Sequence, residues 1–358
     1  MIVASRPLRI VQWTSGNVAR QTVRAVLARP DLELVGLYAH STTKVGKDAA
    51  ELCGLDAPTG VLATDDVDEL LVLRPDCVVY TPLHFSVAEV ERILRAGIDV
   101  VTTCEFLTGR GLGGDGRARV EQAATEGGAT IFGSGMNPGF AQLLAGVAAG
   151  ISIGVDHVRL TESVDVSQFA GDGNMDELGW GRPPGDPGHA AAVEAATVVF
   201  ADGVDVLAAL VGAEVDERRC TVDFAHATRD LDLPGRPIGR GHVAGLDVRW
   251  EGLVDGTPVV ELHQRWVMGR DIEPAWKVEH GYLAEVAGDP NIRLKLDIWP
   301  AGDLTALTAE DIHAIGMRIT GLPVVNAIPA VCAAAPGIRT YADLPVISTR
   351  IGSRAPAL

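Results

Sequence analysis

A short polar turn follows the first apolar run of the chain. The run LRIVQW is followed by TSGNVAR, where an amphipathic helical pattern begins. The spacing is that of the dinucleotide fingerprint G-x-G-x-x-G, read here as T-x-G-x-x-A. Gly16 supplies the glycine that lets backbone amides approach a pyrophosphate, whereas Thr14 and Ala19 replace the outer two glycines. The pattern predicts cofactor contacts from Thr14, Ser15, Gly16, Asn17, Val18 and Arg20, with an ordinary strand-to-helix turn as the alternative.

The end of the second apolar run indicates which nucleotide is bound. An NAD site carries Asp or Glu at this place to hold the ribose 2′-hydroxyl. The sequence reads YAHSTTK instead, and no acid occurs before Asp48. Hydroxyl groups, a lysine and the nearby Arg20 suit the 2′-phosphate of NADP. We therefore expect NADP, with NAD as the second option and a solvated loop as the structural alternative. The residues that would hold it are His40, Ser41, Thr42 and Lys44.

Two later strand ends are expected at the nicotinamide half of the cofactor, because ligands of parallel α/β folds bind outside the carboxyl ends of the strands. The run CVVY continues into Thr81, Pro82 and Leu83, whose backbone groups we place beside the nicotinamide ribose. The run TIF continues into GSGMNPGF, where the Asn137 amide suits the nicotinamide carboxamide. A domain hinge that needs only glycine and proline is the alternative for this second segment.

Glu105 is the candidate catalytic residue. It follows the apolar run DVVTT, and a carboxylate there is costly unless it has a task or a partner. The chain has four lysines, Lys44, Lys47, Lys277 and Lys295, and none lies near this position. A carboxylate without a lysine suits a nitrogen substrate, because it accepts a proton from ammonium and stabilises a cationic iminium. The alternative is a structural, salt-bridged glutamate.

The elements that position these residues alternate between strand and helix through the first 140 residues. Predicted strands are Leu8–Trp13, Leu32–Tyr38, Cys77–Tyr80, Asp99–Thr102 and Thr130–Phe132. Amphipathic helices are predicted at Val18–Ala28, Ser86–Ala96 and Ala118–Glu126. Continuous apolar runs are typical of strands buried on both faces. The fold class is therefore α/β, with a Rossmann dinucleotide-binding domain at residues 1–140.

The pattern changes after residue 140. Residues 156–168 alternate between apolar and polar, and a Gly- and Pro-rich stretch at 169–188 follows, too long for a tight connection. A helix is predicted at His189–Val211, and alternating runs lie at 217–225, 241–253, 257–267, 277–285 and 291–298. These predict a C-terminal α+β substrate and dimerisation domain at 141–304, built on an open mixed sheet. A helix at 308–334, broken at Gly-Leu-Pro 321–323, lies in the segment 305–358 that we expect to pack back on the first domain.

A substrate pocket in the second domain would be lined by residues of these alternating strands. We select Phe140, Glu162, Gln168, Trp180, His263 and Thr320, with Asp165, Trp266 and Trp276 as further candidates. Trp180 is either a lid aromatic or a loop anchor, and a strand histidine such as His263 is more often structural. Glu162 and Asp165 are an odd number of residues apart and cannot share a face of one strand. No arginine clamp for a carboxylate is evident, although Arg159, Arg182 and Arg265 could supply one.

Composition sets the broad class. The chain has 358 residues, enough for two domains, and a net charge of −17, which makes nucleic acids and anionic membranes poor partners. Its five cysteines form no C-x-x-C pair, so we expect no disulfide framework, no metal site and a reducing, cytoplasmic location. No secretory signal and no apolar stretch of about 18 residues is recognised, so a transmembrane helix is not expected.

The sequence resembles the NAD(P)H-dependent amine dehydrogenase family, which includes 2,4-diaminopentanoate dehydrogenase and many dihydrodipicolinate-reductase-like chains. The resemblance is carried by IVQWTSGNVARQTVRAV, LVGLYAHSTTKVGKDAAELCG, TTCEF, SGMNPGF and VVNAIPAVCAAAPGIRTYADLP. It implies a Rossmann domain followed by an α+β substrate domain, a homodimer and reversible oxidative deamination of amines. It also implies that Glu105 is the catalytic carboxylate.

Two departures from related patterns bear on the activity. Thr14 and Ala19 replace two glycines of the first turn that the family commonly has. The His-His pair and the K-x-D-A-P-S-G-T segment of genuine dihydrodipicolinate reductases are not found in place, since the segment DAPTG at 56–60 comes too early. The leading hypothesis is therefore an NAD(P)-dependent amine dehydrogenase that reductively aminates a ketone or aldehyde with ammonia. The alternatives are an ammonia-independent carbonyl or imine reductase and a non-catalytic NADP(H) sensor.

Overall fold

A computed structural model describes residues 6–301 and 306–349 of the chain. The described residues divide into two compact units. The first unit comprises those up to Gly139 together with those from Gly316 onwards. The second unit comprises those from Phe140 to Ile315. Strands and helices are numbered below along the chain.

The first unit contains a seven-stranded sheet in which every neighbouring pair is parallel. Its strands are β1 Leu8–Trp13, β2 Leu32–Tyr38, β3 Ala63–Thr64, β4 Cys77–Tyr80, β5 Asp99–Thr102, β6 Thr130–Gly133 and β14 Gly337–Arg339. The order is β14-β6-β5-β4-β1-β2-β3. This is the doubly wound order, in which the strand sequence reverses beside β1 and opens a crevice at the carboxyl ends. The predicted Rossmann fold is confirmed.

The helices of this unit cover a sheet that is buried on both faces. They are α1 Asn17–Leu27, α2 Ala49–Cys53, α3 Val67–Val72, α4 Val87–Arg95, α5 Gly113–Gly127 and the part of α9, Ala309–Val331, that belongs to this unit. Every residue of β4 is buried, as its uninterrupted apolar sequence predicted. The bounds of β1, β2, β4 and β5 are those predicted. The short elements β3, α2 and α3 were missed because so few residues give no periodic signal.

The predicted break in the last long helix is wrong. Helix α9 continues through the Gly-Leu-Pro segment and has Pro323 and Pro329 inside it. Gly321 is instead a packing residue, since a Cβ atom there would lie 2.7 Å from Cγ2 of Thr22 in α1. The glycine therefore allows the two helices to approach closely, and it does not end the second one.

Helix α9 is, within the described residues, the one helix long and apolar enough to cross a membrane by length and composition. Its second half packs as a core helix of the first unit. Val324, Val325 and Ile328 are fully buried. The Arg29 guanidinium donates to the Val325 carbonyl oxygen and to Oδ1 of Asn326. These contacts explain the apolar character of the helix.

The second unit is built on a seven-stranded mixed sheet, as predicted. Its strands are β7 Val155–Asp165, β8 Glu217–Ala227, β9 Val243–Val254, β10 Thr257–Val267, β11 Ile272–Glu273, β12 Gly281–Gly288 and β13 Ile292–Leu296. The order is β11-β8-β9-β10-β7-β12-β13, with β7 and β10 parallel and the other neighbours antiparallel. Residues paired across these strands point to the same face, so the register assigns each side chain to a face.

One face of this sheet is covered by helices and is called the helix face here. Its helices are α6 Phe140–Ala149, α7 His189–Ala196 and α8 Val199–Leu210. The single predicted helix at 189–211 is two helices, because Thr197 lies between them and accepts a hydrogen bond from the indole of Trp250 in β9. On β10 the helix face carries Leu262, Gln264 and Trp266, and the Trp266 ring contacts Phe200 of α8. The opposite face carries Glu261, His263 and Arg265, and is called the charged face.

Candidate active site

The turn between β1 and α1 leaves open space where a pyrophosphate is expected. Gly16 is the residue before α1, and no side chain caps the helix. A Cβ atom at Gly16 would meet nothing within 4 Å, so the packing of the chain itself does not require glycine here. The first turn of α1 contains no acidic residue. Uncapped amides at a helix N-terminus, behind a residue without a side chain, suit a phosphate group. Val18 supplies only backbone here, since its side chain packs against Gly321.

A buried glutamine that the sequence analysis missed holds this turn. Gln12 in β1 donates through Nε2 to Oγ1 of Thr81 at 2.8 Å, and its Oε1 accepts from Oγ1 of Thr22 at 2.6 Å. Thr14 lies in the left-handed region, with φ at +79°, and its Oγ1 donates to the Thr81 carbonyl oxygen at 3.1 Å. The only sequence signal was an amide inside an apolar strand. The network joins the ends of β1 and β4.

This network engages both the side chain and the backbone amide of Thr81, for which backbone contacts with the cofactor are predicted. Its hydroxyl donates to the Trp13 carbonyl oxygen at 3.1 Å, and its amide donates to the same oxygen at 3.3 Å. Thr81 is buried, so it positions the turn and its side chain does not face a ligand. The two residues that follow are more accessible: Pro82 is half-buried and Leu83 is exposed at this strand end.

The loop after β2 reaches the phosphate-binding turn. Nζ of Lys44 donates to Oγ of Ser15 at 3.0 Å, so a residue predicted for the 2′-phosphate lies beside one predicted for the pyrophosphate. The hydroxyl groups of Ser41 and Thr43 are 2.8 Å apart, while His40 and Thr42 are exposed. The first acid after β2, Asp48, is engaged elsewhere. It begins α2 and accepts hydrogen bonds from the backbone amides of Ala50, Thr59 and Gly60.

Positive charges gather around this loop. Burial raises the pKa of the Cys53 thiol, whereas the positive charges of Arg20, Arg24 and Lys44 lower it. The burial effect is larger, and the resulting pKa is about 11. All three cations therefore lie near one buried thiol. Burial also raises the pKa of Asp48, but its hydrogen bonds from Thr59, Ala50 and Gly60 outweigh this and lower the pKa to about 2. The carboxylate that could have held a ribose hydroxyl is thus used by α2 and its neighbouring turn.

Glu105 is presented at the carboxyl end of β5 by two buried neighbours. Cys104 and Phe106 are almost inaccessible, and the Phe106 ring stacks on Phe85 with centroids 5.0 Å apart. A Cβ atom at Gly133 would lie 1.7 Å from the Phe106 carbonyl oxygen, so β6 needs glycine at this position. Between these anchors Glu105 is exposed, with φ at +28° in the left-handed region. The buried neighbours and the left-handed backbone, not burial of the carboxylate itself, are therefore the unusual features of this position.

The adjacent thiol takes no part in proton transfer. Burial raises the pKa of Cys104 well above its ordinary value, and the nearby carboxylates of Glu105 and Glu89 raise it further. The thiol is therefore neutral at physiological pH. Of this segment, Glu105 is the residue with an ionisable group on the accessible side.

The turn after β6 is shaped by close contacts. Oγ of Ser134 lies 2.8 Å from the hydroxyl of Tyr341, and a Cβ atom at Gly139 would lie 2.4 Å from Oγ of Ser134. Asn137 is half-buried in this turn. Thr320 is placed differently from its prediction. It belongs to the first unit, where its Cγ2 lies near Gly135, and its hydroxyl donates to the Gly316 carbonyl oxygen within α9.

The second unit divides the predicted pocket residues between two faces of its sheet. Glu162 of β7 is paired with Gln264, on the helix face, and accepts a hydrogen bond from the Tyr282 hydroxyl at 3.1 Å. His263 is on the charged face, where its Nε2 lies 2.8 Å from Oδ1 of Asp247. Glu162 and His263 therefore cannot line one pocket, because adjacent strand residues point to opposite faces. The prediction that His263 lines the pocket together with Glu162 is wrong. His263 belongs to a cluster of charged side chains around Asp247 on the charged face.

The remaining candidates have mixed outcomes. Trp180 is buried, so it anchors its loop in the core and does not form an open lid. The Asp165 carboxylate accepts hydrogen bonds from the backbone amides of Ser167 and Gly269 in a turn. Trp276 lies under Arg265 on the charged face, away from Trp266. Phe140 begins α6, and Gln168 lies in a short helical turn after β7.

The three arginines considered as carboxylate clamps are paired with acids, namely Arg159 with Glu261, Arg182 with Asp186 and Arg265 with Asp247.

Comparison with known proteins places this arrangement in a family. The family described as the 2,4-diaminopentanoate dehydrogenase C-terminal domain matches residues 140–357. The chain belongs to this family. An amine dehydrogenase of Streptomyces virginiae is 28% identical over 353 residues, which span 94% of this chain and 96% of that protein. Family membership confirms the resemblance found in the sequence and makes the protein an oxidoreductase.

A solved structure and a shorter match complete the comparison. The structure of an amine dehydrogenase from Mycobacterium smegmatis covers 97% of this chain and 98% of its own, with a TM-score of 0.78 and 23% identity. It supports the two-part fold described above. A 4-hydroxy-tetrahydrodipicolinate reductase of Nostoc punctiforme is 40% identical over 62 residues, or 17% of this chain and 22% of that protein. Similarity to that reductase is therefore confined to a short segment.

Proposed function

We propose that the protein is an NADP-preferring amine dehydrogenase. It converts a ketone or aldehyde, ammonia and NADPH with one proton into a primary amine, NADP⁺ and water, and catalyses the reverse reaction. The observation that carries this proposal is Glu105, an exposed carboxylate on strained backbone between two buried residues at the carboxyl end of β5. The amine dehydrogenase name of the relative that spans nearly the whole chain supports the same reaction.

The first unit would hold the cofactor, which supplies the hydride when bound. The backbone amides that begin α1 face the open space at Gly16 and bind the pyrophosphate. Lys44, Ser15 and Ser41, with the nearby charge of Arg20, recognise the 2′-phosphate. Thr42 and His40 line the same loop, and Asn137 binds the carboxamide. The preference for NADP rests on these cations and on the engagement of Asp48 by the turn at Thr59 and Gly60.

Glu105 would perform the acid–base steps. As ammonia attacks the substrate carbonyl, the carboxylate transfers one proton from the nitrogen to the oxygen and so forms a hydroxyl group. A second proton, the one consumed in the overall reaction, then passes through Glu105 to this hydroxyl, which leaves as water. Its negative charge then stabilises the cationic iminium that accepts the hydride. The left-handed backbone at Glu105 and the buried side chains of Cys104 and Phe106 fix the direction of this carboxylate. Orientation of this kind places the carboxylate for reaction before the substrate binds.

The proposal includes a cytoplasmic homodimer, with no nucleic acid or membrane partner. The thiols of Cys53, Cys77, Cys104, Cys220 and Cys332 are free, as expected in a reducing compartment. Light scattering of the purified protein measures the oligomeric state directly, and a monomer at micromolar concentration would remove this part of the proposal.

The decisive experiment is NADPH oxidation with a panel of small ketones and aldehydes, with and without high ammonium at alkaline pH. Oxidation that requires ammonium, with the amine identified as product, supports amine dehydrogenation. Oxidation without ammonium would assign the protein as a carbonyl reductase. If NADPH binds and no substrate turns over in either arm, a sensing role replaces the enzymatic one.

A further inference from the structure

The ring of Phe106, the residue after Glu105, is held from several sides within the first unit. The Phe85 ring stacks on it, with an interplanar angle of 8° and centroids 5.0 Å apart. At the edge of the Phe106 ring, a Cβ atom at Gly109 would lie 3.0 Å from Cε2, and one at Gly133 would lie 3.0 Å from Cδ1. The two glycines therefore give the ring its space, and Phe85 covers one of its faces.

Phe85 is fixed in turn by the end of β4. Its ring packs edge-on against Tyr80, with centroids 5.8 Å apart. The Tyr80 hydroxyl donates to Oε2 of Glu89 at 2.7 Å and accepts from the backbone amide of Ser86 at 3.2 Å, so it holds the start of α4. Burial raises the pKa of Tyr80 well above its ordinary value, and the hydrogen bond to Glu89 raises it further, so the phenol stays protonated. We call Tyr80, Phe85 and Phe106 the aromatic clamp.

The aromatic clamp acts on a strained backbone. Glu105 has a φ of +28°, and a residue other than glycine keeps such a conformation only where the surrounding packing enforces it. The Glu105 side chain is exposed, so this packing acts through the buried neighbours Cys104 and Phe106. Phe106 is the neighbour whose ring is stacked on another aromatic ring. A stacked pair fixes both the position and the direction of its members.

We propose that Phe85 is a positioning residue, which by stacking on Phe106 keeps the backbone at Glu105 left-handed and its carboxylate directed for proton transfer. This inference rests on the proposed function, because it assigns a residue that acts through Glu105. Leucine at position 85 would fill part of the space without the stacked ring, so the backbone at Glu105 would relax and the carboxylate would turn away. The rival explanation is that Phe85 only stabilises the fold.

The test is a double-mutant cycle between Phe85→Leu and Glu105→Gln. The quantity measured is kcat for NADPH oxidation with ammonium and the carbonyl compound that the wild type converts fastest. Phe85→Leu alone should lower kcat about 10²-fold, because displacing a reacting group by about 1 Å has an effect of this size. In the Glu105→Gln background it should lower kcat no further, since the group that it positions is already absent. Phe85→Tyr keeps the ring at this half-buried position and should retain kcat.

Val120→Ala is the control for a loss of stability. Val120 is fully buried in α5 of the same unit. This variant should lower the melting temperature by an amount similar to that in Phe85→Leu and leave kcat unchanged. An equal loss of kcat when Phe85→Leu is made in either background, or full activity of Phe85→Leu alone, would overturn the inference and make Phe85 a structural residue.

Crystal structures of the wild type, Phe85→Leu and Phe85→Tyr separate this inference from the proposed function, because they require no turnover. A left-handed Glu105 that is lost in Phe85→Leu and kept in Phe85→Tyr supports the positioning role, even if the wild type aminates no carbonyl compound. A left-handed Glu105 in all three proteins would overturn it. If the wild type reduces carbonyl compounds without ammonium, the proposed amination fails, and the same cycle measured on that reaction decides the role of Phe85.

Discussion

The buried glutamines Gln12, of the first unit, and Gln264, of the second, differ in their hydrogen bonding. Gln12 in the parallel sheet donates to Oγ1 of Thr81 and accepts from Oγ1 of Thr22, and so ties β1 to β4 and α1. Gln264 in the mixed sheet is equally buried, but neither atom of its amide has a partner among the residues that the structure describes. A satisfied buried amide stabilises one arrangement of the chain, whereas an unsatisfied one loses its hydration without compensation. The comparison shows that burial alone does not reveal what a polar residue does.

The two units also differ in how they assemble functional groups. In the first unit, candidate residues lie at successive strand ends, Thr14, Lys44 and Glu105 among them, because parallel strands all finish at one edge. In the second unit, polar groups meet across neighbouring strands, as Glu162 of β7 does with Tyr282 of β12. The following changes test this contrast, from the largest expected effect to the smallest.

Glu105→Gln tests whether the strand-end site performs the chemistry. Loss of the general acid–base group should lower kcat by about 10³-fold. The Kd for NADPH should stay unchanged, because the proposed cofactor contacts lie at the ends of other strands, β1, β2 and β6. Steady-state kinetics and fluorescence titration measure the two quantities. Glu51→Gln, an exposed residue of α2, is the matched control. Weakened NADPH binding with preserved kcat would contradict the role given to Glu105.

Gln12→Leu and Gln264→Leu form a matched pair that tests the comparison directly. The first variant leaves the hydroxyls of Thr22 and Thr81 without their amide partner, so the free energy of unfolding should fall by about 3 kcal/mol. The second removes an unsatisfied amide and should change it by less than about 1 kcal/mol or raise it. Urea unfolding of both proteins gives these values. Equal losses in the two variants would show that Gln264 has structural partners.

Asp247→Asn tests the charged face of the mixed sheet. Burial raises the pKa of Asp247, but hydrogen bonds and charge from His263, Arg265 and Arg249 outweigh this and hold it well below its ordinary value. A lowered carboxyl pKa stabilises the fold above pH of about 4, and this contribution is lost as the pH falls further. The variant should therefore lose about 2 kcal/mol at pH 7 and progressively less at acid pH.

Unfolding measured from pH 7 to pH 3 checks this prediction. Asp223→Asn is the control, because its carboxylate pairs with the same Arg249 and is far more exposed than that of Asp247, with 57% of its side chain accessible compared with 3%. An exposed ion pair contributes little, so this variant should change stability by less than about 1 kcal/mol. A loss in Asp247→Asn that does not depend on pH would show that the carboxylate charge is unimportant.

Lys44→Ala has the smallest expected effect and tests the nucleotide preference. Removing the ammonium group that lies beside Ser15 should raise the Kd for NADPH about tenfold and leave that for NADH nearly unchanged. Lys47→Ala is the control, since Lys47 is on the same loop but pairs with Glu51. Equal weakening of NADPH and NADH would move Lys44 from the 2′-phosphate to the pyrophosphate. Isothermal titration measures all four affinities.

The sequence by itself determined the parallel-sheet unit and placed the candidate site residues at its strand ends. Apolar runs such as CVVY and DVVT are local signals, and their bounds were confirmed. The turn at Gly16 and the residue after β5 could also be identified, because in a doubly wound fold the position of a residue along its own strand determines where it emerges. The left-handed backbone at Thr14 and Glu105 was not foreseeable. It accompanies contacts of Thr14 with Thr81 and of Phe106 with Gly133, which only the fold brings together.

Only the tertiary structure decided which residues of the second unit meet. The alternation within β7 and β10 correctly separates neighbouring residues onto two faces, but it does not say which strands are paired or in which register. His263 was therefore grouped with Glu162, although register places it on the other face with Asp247. Thr320, which was grouped with these strand residues, lies in α9 of the first unit, within the segment expected to pack back on the first domain. The hydrogen bond between Tyr282 and Glu162 was not predicted, because it joins residues far apart in sequence and only the folded sheet brings them side by side.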